Sequence, residues 1–252
     1  MGNTFYVPGQ RRAEHVRALF AQVASRYDLI NDLQSFGLHR YWKRRLVRLG
    51  SPLGGGTALD VCCGTADLSL ALARVGFRVV GLDFSPEMLA RGMKRRGQAK
   101  TQPSGYGTTL PPNRQQVALD FVQGDAQILP FADNTFDVVS VGYGLRNLGD
   151  WTAGLNEMRR VAKRGGRLLV LDLGKPDNTL WRGAYFGYLR FFVPWLGWIF
   201  CRNRSAYAYL LESLKHYPAQ HGVAAQMRQI NLQSVRIINL LGGVMTINYG
   251  VK

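Results

Sequence analysis

The stretch LDVCCGTADL places Asp60 at the end of a short apolar run and Gly64 and Thr65 at the turn that follows. Backbone amides in such a turn, backed by a helix N-terminus, can approach a polar ligand closely. Asp83 ends the next apolar run, 83 − 60 = 23 residues later, with Phe84 behind it. A carboxylate there can accept hydrogen bonds from both hydroxyls of a ribose, and Phe84 is taken with it as a binding candidate. A third run leads into GDAQILPF, where the Asp125 carboxylate and the Ala126 amide are placed to read an amino group and a ring nitrogen of adenine.

Together these features suit a nucleoside-containing cofactor, and two candidates compete. The dinucleotide pattern GxGxxG is absent, because Cys62, Gly64 and Asp67 occupy its three places. Asp60 and Asp67 flank the turn and would repel a pyrophosphate, whereas S-adenosylmethionine carries an ammonium and a sulfonium. The residues therefore favour adenosylmethionine over NAD. The alternative for the loop is a plain strand-to-helix turn, and for Asp125 a helix cap.

The elements around these residues alternate. Strand-like runs are Thr57–Cys62, Arg78–Leu82, Asp120–Gln123, Phe136–Gly142 and Arg167–Leu173, with helical patterns at Asp67–Val75, Pro86–Arg96 and Trp151–Lys163. This order predicts a parallel sheet with helices on both faces. Helices are also expected at Ala13–Arg26 and Leu38–Leu49, ahead of a Pro/Gly linker at Ser51–Gly56. Gly97–Gln116 reads as a loop. Val235–Leu241 and Val244–Tyr249 flank Gly242–Gly243 as a hairpin, so the last strand should run antiparallel to the rest. The organisation is one domain: a helical cap over residues 1–50, a cofactor-binding core at 57–175, a helical substrate-facing and membrane-facing segment at 176–233, and the hairpin at 234–252.

The chain of 252 residues is long enough for such a core, and its 46% apolar content excludes a disordered chain. Three cysteines, two of them adjacent (Cys62 and Cys63), argue for a reducing compartment and against a metal site. No secretory or transit signal is expected, which fits the cytoplasm. The formal net charge of +16 favours an anionic partner, either nucleic acid or an acidic membrane surface. Ala184–Cys201 is apolar and aromatic but short for a membrane span, and it contains Arg190 and Pro194. It suits a membrane interface, an apolar substrate pocket or a core helix.

The chain resembles the ubiquinone/menaquinone biosynthesis C-methyltransferases along nearly its whole length. The resemblance lies in VASRYDLINDLQSFGLHRYWKR (Val23–Arg44), LDVCCGTADL, LPFADNTFDVVSVGYGLRNL (Leu129–Leu148), RVAKRGGRLLVLDLGKP (Arg160–Pro176) and AYAYLLESLKHYP (Ala206–Pro218). It implies a class I methyltransferase fold of Rossmann type: seven strands, mostly parallel, with an antiparallel last strand, N-terminal helices and a helical substrate cover. It implies cofactor contacts at Thr65, Asp83, Asp125, Ala126 and Gly142. The implied substrate is a demethylated quinol with an isoprenoid tail, a naphthoquinol first and a benzoquinol as alternative. The products would be the methylated quinol and S-adenosylhomocysteine. The sequence departs from the family pattern at Ala66, where a third glycine is usual, at Cys62, and at Gly142, where serine is frequent.

Carbon methylation needs an electron-rich ring carbon in line with the methyl group and loss of one proton; it needs no metal. In YGLRN, Arg146 is the candidate to stabilise a phenolate or orient a water as base, and Asn147 to hold a ring oxygen. Tyr27 and Asn31 are candidates to close over the site, and His39 is a weaker candidate base. Expected partners are the prenylated quinol and the inner face of an anionic membrane, with no nucleic acid; a homodimer is compatible with the sequence. Methylation of RNA is the competing activity, but VGYGLRN replaces the Asn/Asp-Pro-Pro-aromatic loop of base-amino methyltransferases. A non-catalytic membrane scaffold with the same fold is the other competitor, kept open by Ala66.

Overall fold

The computed structural model describes residues 32–51, 55–99, 118–195 and 205–252. In chain order the elements are α1 (Leu38–Gly50), β1 (Gly56–Val61), α2 (Asp67–Arg74), β2 (Phe77–Asp83), α3 (Pro86–Ala99), β3 (Leu119–Gln123), β4 (Phe136–Gly142), α4 (Trp151–Val161), β5 (Ala162–Leu173), α5 (Thr179–Gly187), α6 (Ser205–His216), α7 (Ala219–Gln229), β6 (Gln233–Leu240) and β7 (Met245–Val251). The N-terminal helix expected at Ala13–Arg26 lies outside the described residues, as do Tyr27, Asn31 and most of the Gly97–Gln116 stretch.

The seven strands form one sheet in the order β3-β2-β1-β4-β5-β7-β6. The pairs among β1 to β5 are parallel, and β7 runs antiparallel to both β5 and β6. Successive side chains of a strand point to opposite faces, and β5 shows what this does for the core. Leu168 and Val170 enter one hydrophobic cluster with Leu155 and Met158 of α4 and Val223 and Met227 of α7. Leu169 and Leu171 enter the other, with Trp42 and Leu46 of α1 and Leu68 and Leu72 of α2. The strands are apolar on both faces because helices cover both. Strand order reverses between β1 and β4, and that is where ligands bind in open sheets, beyond the carboxyl ends of the strands.

Several boundaries differ from those read in the sequence. β1 ends at Val61, because Cys62 has φ +56 and leaves the extended region. The helix expected to run to Lys163 stops at Val161, and Ala162 pairs at once with Phe136. β5 therefore begins well before Arg167, with a register shift against β4 and Gly165 at φ +76. Gly97, expected in a loop, belongs to α3. The hairpin turn is longer than two residues: Leu241, Gly242 and Gly243 all have positive φ, and the Trp181 indole N–H donates to the Leu241 carbonyl across it.

Arg160 pins α4 to the segment after β3. Its guanidinium donates to the Leu129 and Phe131 carbonyls and to the Asp133 and Glu157 carboxylates. Glu157 in turn accepts from the Leu129 amide at 2.8 Å. These bonds fix the path of the chain just beyond Asp125. Arg160→Ala is expected to cost about 2–3 kcal/mol, the scale of lost hydrogen bonds to a charged group. Urea denaturation would show it as a lower midpoint with an unchanged slope.

Candidate active site

The carboxyl ends of β1 to β4 converge through the register of the sheet. Val61 pairs with Leu82 and Val141, and Asp83 with Gln123. Gly64, Asp83, Asp125 and Gly142 therefore share one edge. At its centre the Asp83 carboxylate accepts the Gly64 amide at 2.8 Å and the Ser85 amide at 2.9 Å. Phe84 stands beside it, 44% exposed. Asp125 accepts the Gln127 amide at 2.8 Å and the Gln127 side chain at 3.1 Å, while Ala126 is buried.

The glycines leave room at this edge. Gly64 has φ +56, and a Cβ there would find no atom nearer than Met88 Cε at 3.9 Å. At Gly142 it would meet only Leu68, at 3.4 Å. Gly144 is the opposite case, because a Cβ would overlap Cys62 Cβ, so the turns after β1 and β4 touch through backbone. Ala66 has φ +65, the left-handed region that costs an L-residue about 1–2 kcal/mol. The alanine noted in the sequence thus takes the conformation that a glycine would hold without strain.

The acids flanking the turn are placed differently from the sequence reading. Asp60 does not face the open edge. It is 1% exposed, and its two oxygens accept from the Ser69 and Ser140 hydroxyls. Burial pushes its carboxyl up to about 7, against the lowering effect of those serines and of Lys43. Asp67 is paired with Lys43 at 2.6 Å and approached by Arg95 at 3.7 Å. Those cations hold it below the usual carboxylate range despite the opposing effect of burial. The repulsion of a pyrophosphate that was read from these two acids is therefore largely cancelled. Thr65 is buried, and its hydroxyl accepts from Arg95 at 3.0 Å.

Beyond β4 the chain turns sharply. Tyr143 has φ +63, its amide donates to the Leu171 carbonyl at 2.7 Å, and its own carbonyl accepts from both Arg146 and Asn147. Arg146 is buried and forms an ion pair with Asp172 at 2.5 Å. Asp172 also accepts the Arg146 and Leu173 amides. The sequence reading passed over Asp172, although it lies one residue from the end of β5, as Asp60 does in β1. It also passed over Lys43, which joins α1 to the cofactor turn and lies 5.7 Å from the centre of the Tyr143 ring. His39 is bonded to Ser35 at 3.0 Å and lies 3.6 Å from Asp32, and burial together with the nearby Lys43 charge lowers its pKa. Among the described residues, no group of three His, Cys, Asp or Glu side chains is placed to hold a metal.

The donor set at the sheet edge suits adenosylmethionine. Asp83 has an open neighbour in Phe84, Asp125 lies one strand away, and the glycine turns admit a ligand against backbone. The comparisons with known proteins agree. The sequence model of the ubiE/COQ5 methyltransferase family matches residues 9–252. A demethylmenaquinone methyltransferase of Desulfitobacterium hafniense is 39% identical over 97% of this chain and 92% of its own length. The ubiquinone/menaquinone biosynthesis C-methyltransferase UbiE of Hahella chejuensis is 37% identical, covering 98% and 94%. A demethylmenaquinone methyltransferase of Bacillus subtilis is 34% identical, covering 96% and 98%. Among solved structures, an S-adenosylmethionine-dependent methyltransferase of Thermotoga maritima, a possible histamine N-methyltransferase, aligns with TM-score 0.64 at 15% identity, covering 93% of this chain and 99% of that one. Magnesium protoporphyrin IX methyltransferase of Synechocystis PCC 6803, with bound S-adenosylhomocysteine, aligns with TM-score 0.53 at 16% identity, covering 99% and 91%. These likenesses establish the class I methyltransferase fold.

Asp60 gives this site a measurable signature. Its folded pKa lies above the unfolded value, so the folded state holds the extra proton and stability falls as pH rises from about 4 to about 7. A shift of roughly three units corresponds to at most about 4 kcal/mol. Asp60→Asn is expected to flatten the dependence of the urea midpoint on pH across that window. An unaltered profile would show that another group carries it.

Proposed function

The chain belongs to the ubiE/COQ5 methyltransferase family, and on that premise we propose that its acceptor is a prenylated demethylmenaquinol, methylated at a ring carbon. It is an S-adenosylmethionine-dependent C-methyltransferase of quinone biosynthesis. The naphthoquinol ring is favoured because two of the three relatives above are named for demethylmenaquinone, including the one at 39% identity. The observation that carries the mechanism is the buried Arg146–Asp172 pair at the end of β4, beside the cofactor edge.

Bound adenosylmethionine supplies a methyl group already activated on a sulfonium, so the chain must orient the acceptor and handle one proton. Asp83 is the group to hold the ribose hydroxyls, and Asp125 with Ala126 the adenine. Gly64, Thr65, Phe84 and Gly142 line the same site. Asp60 is left out of direct contact and supports the turn from below. Arg146 keeps a fixed positive charge where a ring hydroxyl would ionise, which raises electron density at the adjacent carbon. Asp172 sets the position of that charge. Asn147, tied to the same Tyr143 carbonyl, is the group to orient the ring. Tyr27 is retained as a closing residue from the N-terminal signature. No metal is required by this chemistry.

A prenyl tail also needs an apolar route, and the segment after β5 offers one. Phe191 and Trp195 are 71% and 51% exposed, and the Arg190 guanidinium lies 5.4 Å from the centre of the Phe191 ring. No helix among the described residues is long and apolar enough to cross a membrane. The reading is peripheral attachment to an anionic membrane surface, with the +16 charge supplying attraction and the aromatics insertion.

Three measurements test the reading. Labelled methyl should pass from adenosylmethionine to reduced demethylmenaquinone in detergent; label in the ubiquinone-pathway benzoquinol alone would reverse the assignment of the ring. Arg146→Lys keeps the charge but loses the planar fork, and kcat should fall by about 10²-fold with cofactor affinity retained. Unchanged turnover would remove Arg146 from the mechanism. Binding to vesicles should rise with the anionic lipid fraction and weaken with salt; equal binding to neutral vesicles would eliminate the electrostatic contribution.

A further inference from the structure

Beside the Arg146–Asp172 pair, two tyrosine hydroxyls are buried without a hydrogen-bond partner among the described residues. Tyr185, on α5, is 5% exposed, and Tyr217, just past α6, is 4% exposed. Both belong to the cluster that contains Leu145, Leu189 and Leu214. Tyr217 sets its ring edge against Trp151 at 6.3 Å, at the start of α4 and a few residues past the Arg146–Asn147 turn. Both hydroxyls lie within the fields of Arg146 and Asp172.

An unsatisfied hydroxyl in such a place destabilises the protein, and phenylalanine would fill the same volume without it. Three buried polar side chains on neighbouring elements are satisfied. The Asn248 amide donates to the Gln220 carbonyl, Gln220 bonds both backbone groups of Lys175, and the Thr246 hydroxyl donates to the Asp172 carbonyl. Two unpartnered hydroxyls within the field of one ion pair fit a ligand that brings its own oxygens.

We propose that the Tyr185 and Tyr217 hydroxyls, unpartnered in the buried wall beside Arg146 and Asp172, bind the ring oxygens of the quinol acceptor and position it for methylation. This rests on the quinol reading above. Burial raises both phenols above their usual range, so they remain donors and do not act as bases. A donor aimed at a ring oxygen strengthens its bond as that oxygen becomes a phenolate. The two tyrosines therefore select for an oxygenated aromatic ring, while Arg146 supplies the charge.

The test uses the full chain as Tyr185→Phe, Tyr217→Phe and the double variant, with three readouts: thermal midpoint without ligand, Kd for adenosylmethionine, and kcat/KM for the reduced quinone. A group held in reserve for a ligand gives an unchanged or higher Tm, an unchanged cofactor Kd, and kcat/KM lowered about tenfold in each single variant. A kcat/KM within twofold of wild type in all three variants would overturn the proposal. So would a fall in Tm in each, since it would mean that the hydroxyls bond within the protein. Wild type that transfers methyl to neither the naphthoquinol nor the benzoquinol fails the quinol reading itself, before any variant is compared. Wild type active on the benzoquinol alone corrects the ring but leaves the tyrosine comparison to be read on that acceptor.

Discussion

Burying a guanidinium and a carboxylate together is tolerable only when each satisfies the other, and Arg146 and Asp172 do so at 2.5 Å. Much of the site is arranged around that requirement. The Arg146 guanidinium can reach Asp172 because Tyr143 turns the chain through a left-handed conformation directly after β4. Gly144 lets that turn press against Cys62, for which no side chain would leave space. Asp172 collects two backbone amides besides the guanidinium, and its own carbonyl receives Thr246 from β7. The ends of β4, β5 and β7 are thus tied to one charge pair. Removing either partner would leave the other buried and uncompensated, typically a loss of 3–5 kcal/mol.

The cofactor edge is built on a different principle. Four parallel strands stop in register, and their carboxyl ends deliver polar groups from distant parts of the chain to one line. The acids there are in different states. Asp83 is held by backbone amides and raised by burial, Asp60 is raised by burial to about 7 beneath the turn, and Asp67 is lowered by Lys43 and Arg95. A count of carboxylates in the sequence therefore misjudges the charge that a ligand meets. Lys43 matters beyond its ion pair, since it fastens α1 across the cofactor turn and toward Tyr143.

How much of this could be read in advance depended on the range of the interaction. β4 was legible to its last residue, because its apolar run is bounded by the polar Asp133–Thr135 on one side and ends at Gly142 on the other. The hairpin at Gly242–Gly243 and the reversal of the last strand were legible from turn chemistry. The start of β5 was not: Ala162–Gly166 carries basic residues and glycines and looks like a helix end with a loop. Pairing with Phe136, and the Lys163 contact to Asp137, make it strand. Asp172 and the two tyrosines were illegible for the same reason. Nothing local distinguishes a strand-end aspartate that meets an arginine 26 residues earlier, or a tyrosine hydroxyl left without a partner. The positive φ at Ala66, by contrast, falls at the turn position where the family pattern already carries a glycine.

The segment from Tyr185 to Trp195 shows how one pattern can serve two surfaces. Read as composition, it offered three alternatives: a membrane interface, a substrate pocket or a core helix. Read as helix, it separates them by spacing. Tyr185, Leu189 and Val193 recur every fourth residue and enter the core beside Leu145 and Leu214. Phe191, Phe192 and Trp195 fall on the outer side, where Tyr188 stacks on Phe192 and Phe192 meets Trp195. The five residues from Tyr188 to Phe192 form a wider π-helical turn, a feature frequent at functional sites. On the proposed reading, the inner stripe carries a hydroxyl to the acceptor ring and the outer stripe meets the lipid that holds its tail. One helical segment then spans the path from bilayer to ring. On that reading, an acceptor held in a membrane and reacting at a buried charge pair requires such a path, and the two opposed stripes of this segment supply it without any further element.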